Sequence, residues 1–177
     1  MTSSRFDLRG KVAIVTGGNG GIGLGMARGL ADAGANIAVV GRNETKSAAA
    51  VADLGQRGVK AISVPTDVTD KAAIAAMVDR VVRDLGRIDI LINNAGMSIR
   101  KPPHELELDE WNTVINTNLT SAFLCSKLAY PALKASGKHH RGAGGRESLR
   151  HAEPDAAIAA GDNRDAAGQI EQVHLLS

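Results

Sequence analysis

The feature that most constrains this chain is a strict alternation of short apolar runs with helical patterns, opening on one β-branched run closed by glycines. KVAIVT (Lys11–Thr16) is continuous, β-branched and unbroken by polar residues, as a strand buried on both faces requires. It runs into TGGNGGIG (Thr16–Gly23), and GIGLGMARGLADAGA (Gly21–Ala35) then takes helical spacing, with Gly34 as the expected C-cap. NIAVVG (Asn36–Gly41) is a second strand, a helix follows from about Asn43 to Gln56, and KAISVP (Lys60–Pro65) is a third strand. Between Thr69 and Gly86 the apolar positions Ile74, Met77, Val78, Val81, Val82 and Leu85 repeat at i, i+3 and i+4, the mark of a helix lying on a sheet. IDILIN (Ile88–Asn93) is a fourth strand, and Asp109 to about Ser136 reads as one long helix. Strands and helices in turn, joined by short loops, predict right-handed crossovers and a Rossmann-type doubly wound parallel sheet in the α/β class. The sheet is expected to stop after about four strands.

The glycine segment sits where a strand passes into a helix. Two registers fit it: Gly18-x-Gly20-x-x-Gly23, and Thr16-Gly17-x-x-x-Gly21-x-Gly23. Residues without side chains let the backbone turn tightly and approach a pyrophosphate, whose charge rests on the N–H groups at the helix start. The strand–loop–helix setting is what gives such a pattern weight.

Thr16-Gly-x-x-x-Gly-x-Gly23, Asp67 after the third strand, Asn93-Asn94-Ala95-Gly96 after the fourth and Asn118 in INTNLTSAF together resemble the short-chain dehydrogenase/reductase family. Within it the chain is similar to bacterial sugar-acid dehydrogenases and 3-oxoacyl carrier-protein reductases, over about residues 8–136. The resemblance implies a nicotinamide dinucleotide and a small alcohol or ketone as partners. It implies that Gly17, Asn19, Gly21, Ile22 and Gly23 hold the dinucleotide at the glycine loop. Asp67 and Val68 would contact the adenine, and Asn94, Ala95 and Gly96 would line the ribose and nicotinamide side. Asn118 would anchor a water in the proton relay. Asp67 has an alternative as a turn or capping residue.

Cofactor choice turns on the end of the second strand, where an acid would bond the ribose 2′-hydroxyl and repel a 2′-phosphate. Gly41 stands there and Arg42 follows, so NADP(H) is favoured by charge and NAD(H) stays possible.

The family's proton transfer needs a Tyr whose hydroxyl is made more acidic by a neighbouring Lys. Tyr130-Pro131-Ala132-Leu133-Lys134 spells that pair, and Tyr130 is the only Tyr in the chain. It lies twelve residues beyond Asn118 on the same expected helix, roughly 18 Å along the axis and about 120° around it. Side chains so placed do not converge on one substrate. The match is read as a coincidence and Tyr130 as a packing or capping residue, so the catalytic Ser and Tyr-x-x-x-Lys are missing. Ser148 falls roughly where a catalytic Ser is counted but stands in no strand. Without that machinery the chain is expected to be inactive, a dinucleotide-binding fragment or a non-functional product.

After Gly137 the sequence turns to Gly, Ala, Arg and His without periodicity, and residues 137–177 read as an unrelated disordered tail, as a frameshift would give. His139, His140 and His151 show no ligand geometry, so no metal is expected. Cys125, the only cysteine, is expected in the core or an interface and fits a cytoplasmic setting. The net charge of +2 and the polar MTSSRFDLRG start give no sign of nucleic acid, membrane or signal peptide. The apolar fourth strand, left with one neighbour, predicts poor solubility. The 109–136 helix resembles the element family members use to dimerise.

Overall fold

The computed structural model describes residues 6–138. Four parallel strands, β1 (Val12–Thr16), β2 (Asn36–Gly41), β3 (Ala61–Pro65) and β4 (Ile90–Ile92), lie in the order β3-β2-β1-β4. The doubly wound class is as expected. β4 is shorter than the predicted Ile88–Asn93. Asp89, one residue earlier, instead accepts from the Val12 main-chain N–H at 3.0 Å and from Arg87 Nη2 at 2.6 Å.

Each face of the sheet carries its own helices, because the central strands β1 and β2 are apolar and buried on both faces. On one face Ala13, Val15, Ile37, Val39 and Ile92 meet Ala27 and Ala31 of α1 (Gly21–Asp32), and Ala50 and Leu54 of α2 (Glu44–Gly55). On the other, Val12, Ile14, Val40, Val64 and Leu91 meet α3 (Lys71–Leu85) and the buried stripe Cys125, Ala129 and Leu133 of α5 (Ser121–Lys138). The alanines of α1 let that helix lie close to the strands, where larger side chains would hold it off.

The helix ends follow local chemistry. Asn43 caps α2 by accepting from the Lys46 N–H at 2.9 Å, and Asp70 caps α3 by accepting from Ala72 at 2.8 Å and Ala73 at 3.3 Å. Gly34 lies one residue past the cap Ala33 instead of being the cap, with φ +98°. Its N–H reaches the Ala31 carbonyl and that of Ala35 reaches Leu30, the paired closure of a Schellman end.

The long helix predicted from Asp109 to Ser136 is not uniform. α4 (Leu108–Ile115) passes through a π turn, Asn116–Thr120, before α5 begins. Thr113, Thr117 and Ser121 each turn a hydroxyl back to the carbonyl four residues earlier, which competes with the helical ladder and opens it. Among the described residues no helix is long and apolar enough to cross a membrane.

Candidate functional site

The strand order reverses at β1: the chain moves outward through β2 and β3, then returns to place β4 on the other side. In such sheets the crevice outside the carboxyl ends of the strands, at the point of reversal, receives the ligand. Every site residue predicted from sequence lies on a segment leaving one of those strand ends or, for Asn118, on the π turn.

Thr16, at the end of β1 and almost fully buried, organises the crevice. Its Oγ1 donates to the Ile92 carbonyl at 3.2 Å and accepts from the main-chain N–H groups of Asn94 at 2.9 Å and Ala95 at 3.0 Å. Asn94 returns the tie, donating from Nδ2 to the Thr16 carbonyl at 3.0 Å and the Gly17 carbonyl at 3.4 Å. The glycine loop and the segment after β4 are thus one unit.

That closeness explains the glycines. A Cβ on Gly23 would stand 2.3 Å from the Gly17 carbonyl oxygen and 2.4 Å from Asn94 Nδ2. A Cβ on Gly17 would stand 2.9 Å from the same nitrogen, and Gly17 has φ +66° besides. Space for a Cβ is open at Gly21, whose positive φ of +51° selects glycine there instead. The start of α1 holds no acidic side chain in its first turn and no side-chain cap, so its N–H groups and dipole face the crevice uncompensated. Ile22, the second helical residue, is about three-quarters exposed.

Asn19 bridges outward, its Nδ2 lying 3.1 Å from Ser47 Oγ and 3.4 Å from the Asn43 carbonyl. Arg42, past the end of β2, extends to Asp67 with its Nη1 3.6 Å from Oδ2, and both groups are substantially exposed. Asp67 also accepts from the N–H of Thr69 at 2.9 Å and its hydroxyl at 2.7 Å. Those bonds, with Arg42 adding less, hold its carboxyl below the usual carboxylate range. The turn-forming reading of Asp67 is therefore realised in the fold, whatever else the residue contacts. The Val68 side chain is buried in the core.

Asn118 clasps the main chain of Met97 through both ends of its amide. Its Oδ1 accepts from the Met97 N–H at 2.8 Å and its Nδ2 donates to the Met97 carbonyl at 2.9 Å. Gly96 lies under this clasp; a Cβ there would stand 3.2 Å from Asn118 Oδ1. The side chain pins the segment after β4 to the π turn. Next to it, Asn93 donates to Ser126 Oγ at 3.0 Å, and its buried Oδ1 has no partner among the described residues.

Tyr130, expected to pack or cap, lies within α5 and is 47 % exposed, with the Lys134 ammonium 5.8 Å from its ring centre. The Tyr–Lys contact is the ordinary neighbour geometry of i and i+4 on a helix. Cys125 is buried as expected, and burial pushes its thiol up to about 11. Ser148, His139, His140 and His151 lie outside the described residues.

Residues 11–143 match the model of the short chain dehydrogenase family. The chain belongs to that family. It is 39% identical over 128 residues to 2-dehydro-3-deoxy-D-gluconate 5-dehydrogenase of Formosa agariphila, covering 72% of this chain and 48% of the relative. It is 41% identical over 122 residues to 5-keto-D-gluconate 5-reductase of Escherichia coli, covering 69% and 48%. Among solved structures, NAD+-bound xylitol dehydrogenase superposes with a TM-score of 0.71 at 37% identity, covering 73% of this chain and 50% of that one. A 2-keto-3-deoxy-D-gluconate dehydrogenase from Streptococcus agalactiae gives 0.66 at 37%, covering 75% and 50%. The sugar-acid branch named from sequence is thus among the relatives. The chain spans about half the length of the curated relatives it matches.

Sequence reasoning missed three members of the site. Thr16 was read only as the start of a glycine motif. Ser47 and Ser126 were not singled out at all. A Thr closing a buried apolar strand is a readable signal, because a buried hydroxyl needs a partner. No comparable pattern marks a serine inside a helix.

Proposed function

We propose that this chain is the dinucleotide-binding portion of an oxidoreductase acting on the CH–OH group of a small sugar acid or related alcohol. The observation that carries the reading is the cradle at Gly17 and Gly23, where two main-chain segments and Asn94 leave no room for a single methyl group beside a bare helix N-terminus. Such a surface fits a pyrophosphate, which needs close backbone approach and unpaired N–H groups. Gly17, Asn19, Gly21, Ile22 and Gly23 would hold the phosphates and adjacent ribose. Asp67 and the main chain of Val68 would take the adenine, and Asn94, Ala95 and Gly96 the nicotinamide side. When bound, the nicotinamide gives or takes hydride. Asn118 serves as a positioning residue that fixes the Asn94–Met97 segment.

NADP(H) is the favoured cofactor and NAD(H) is accepted. Gly41 offers no carboxylate to repel a 2′-phosphate, and Arg42 stands next to it. The Arg42–Asp67 pair is long and exposed, so it holds the guanidinium only weakly and a phosphate dianion outcompetes it. Residues 1–136 form the NAD(P)-binding unit in this reading, and the unrelated tail expected over 137–177 starts only after the family match ends at residue 143. By their names the relatives reported above act on sugar acids or on xylitol; with Tyr130-x-x-x-Lys134 read as a chance match, residues 1–177 are expected to bind dinucleotide without turnover. The setting is cytoplasmic. The exposed outer face of α4, the π turn and α5, bearing Trp111, Leu119, Phe123 and Tyr130, is where a second copy packs.

Calorimetric titration with NADPH and NADH tests this. Binding of both, NADPH tighter, with no oxidation of either on adding 5-keto-D-gluconate, is the expected result. Binding of neither sinks the reading. Turnover that Tyr130→Phe abolishes overturns the assignment of inactivity.

A further inference from the structure

Between Gly17 and Gly23 the only polar side chain is Asn19, and it is turned onto α2. Its nitrogen faces two oxygens, the Asn43 carbonyl and Ser47 Oγ, at 3.4 and 3.1 Å. Ser47 is completely buried and gives its own proton to the Asn43 carbonyl at 2.9 Å. Neither oxygen therefore has a hydrogen to offer Asn19, which fixes the amide with NH2 inward.

Three consequences follow. The amide lies across the end of β2, where a Cβ on Gly41 would stand 2.6 Å from Asn19 Nδ2. The usual position for an acidic residue is therefore closed by a neutral group. The two inward oxygens, only 2.9 Å apart, lie in one direction from Nδ2 and hold one amide hydrogen between them. Asn19 Oδ1, in contrast, receives no donor among the described residues. An oxygen that accepts and carries no formal charge suits a ribose hydroxyl, which donates, better than a phosphate, which does not.

We propose that Ser47 is a positioning residue. By holding the Asn19 amide across the end of β2, it presents Oδ1 to the ribose 2′-hydroxyl, and so keeps NAD(H) acceptable in a site where Arg42 favours the 2′-phosphate. The inference rests on the dinucleotide reading above. With Ser47 removed, the amide is free to rotate and offer hydrogens to a phosphate, and the balance moves towards NADP(H). With Asn19 removed, the 2′-hydroxyl loses its acceptor, and the balance moves the same way.

The test is fluorescence titration of the whole chain with NADH and NADPH, for the parent, Ser47→Ala, Asn19→Ala and the double variant. Each single change raises the ratio of Kd for NADH to Kd for NADPH roughly three- to tenfold, the size of one hydrogen bond. The double variant matches Asn19→Ala alone, because Ser47 acts only through Asn19. A purely structural role for Ser47 loosens both dinucleotides equally and leaves the ratio where it was. That result, or additive effects in the double variant, overturns the proposal while the dinucleotide reading stands. Binding of neither dinucleotide by the parent removes both. Should Ser47→Ala fail to fold, the loop variant Asn19→Ala still decides: an unchanged ratio there overturns the proposal.

Discussion

The glycine loop and the α4–α5 arm stand at opposite extremes of packing within one short chain. At the loop, Thr16, Gly17, Gly23 and Asn94 are so close that glycine is dictated by distances of 2.3–2.9 Å. On the arm, Trp111, Leu119, Phe123 and Tyr130 leave about half or more of their surface to solvent. The loop ties most of its polar groups to Asn94, Asn43 and Ser47, while the start of α1 has no side-chain cap and Asn19 Oδ1 receives no donor among the described residues. The arm buries Cys125, Ala129 and Leu133 on one side and leaves an equally apolar stripe on the other. One region is closely packed around a bare helix start; the other leaves a broad apolar face to solvent.

The sharpest way to break this contrast is to add one carbon to each of two glycines in or beside the loop. Gly23→Ala drives a methyl group into the Gly17 carbonyl and Asn94, and is expected to cost about 2–3 kcal/mol and abolish dinucleotide binding. Gly25→Ala, two residues on and with nothing within 4 Å of its added Cβ, is expected to raise stability by about 0.5–1 kcal/mol through helix propensity. Thermal melts of the two variants, with and without NADPH, check both. An equal response would mean that the crevice is looser than its distances say.

Asn118 belongs to both regions, because it lies on the π turn and clasps Met97 on the crevice side. Replacing it by Ala removes two hydrogen bonds and is expected to cost about 1–2 kcal/mol, measured by urea denaturation. Cys125 reports on the buried side of the arm. Burial raises its thiol to about 11, so it favours the folded chain below the ordinary thiol value near 9, an advantage lost as pH rises from there through about 11. Iodoacetamide at pH 8 should leave the native thiol unmodified and label it in urea. The smallest expected effect on folding is that of Phe123→Ser, within about 0.5 kcal/mol for the single chain, with weakened self-association by sedimentation.

The parts legible in the sequence are those where periodicity and backbone restriction speak directly. Apolar runs gave four strands, and the i, i+3, i+4 pattern gave α3 with Gly86 at its end in the left-handed conformation. The glycine spacing located the crevice because glycine is demanded by steric contact, which sequence records. The π turn was not legible: Thr113, Thr117 and Ser121 are compatible with a regular helix until their hydroxyls are seen to bond backwards. Ser47 was hidden for a related reason, since its partner Asn19 lies 28 residues away and only the fold joins them. Tyr130 shows the converse, a motif match set aside on helical spacing alone, its side chain half-exposed on α5.

The sheet order has a consequence for how the chain is made. β1 is one of the two interior strands, yet it is synthesised first, and one of its two flanks stays bare until β4 arrives. The tie from Val12 to Asp89 spans 77 residues, and β2 and β3 are in place long before it. Closing so long a loop is slow compared with forming the local helices. A nascent chain therefore carries the β-branched run Val12–Val15 half-covered for most of its emergence from the ribosome, open to any other extended segment nearby. The interval before residue 92 appears is thus the period in which this strand is most exposed to mispairing.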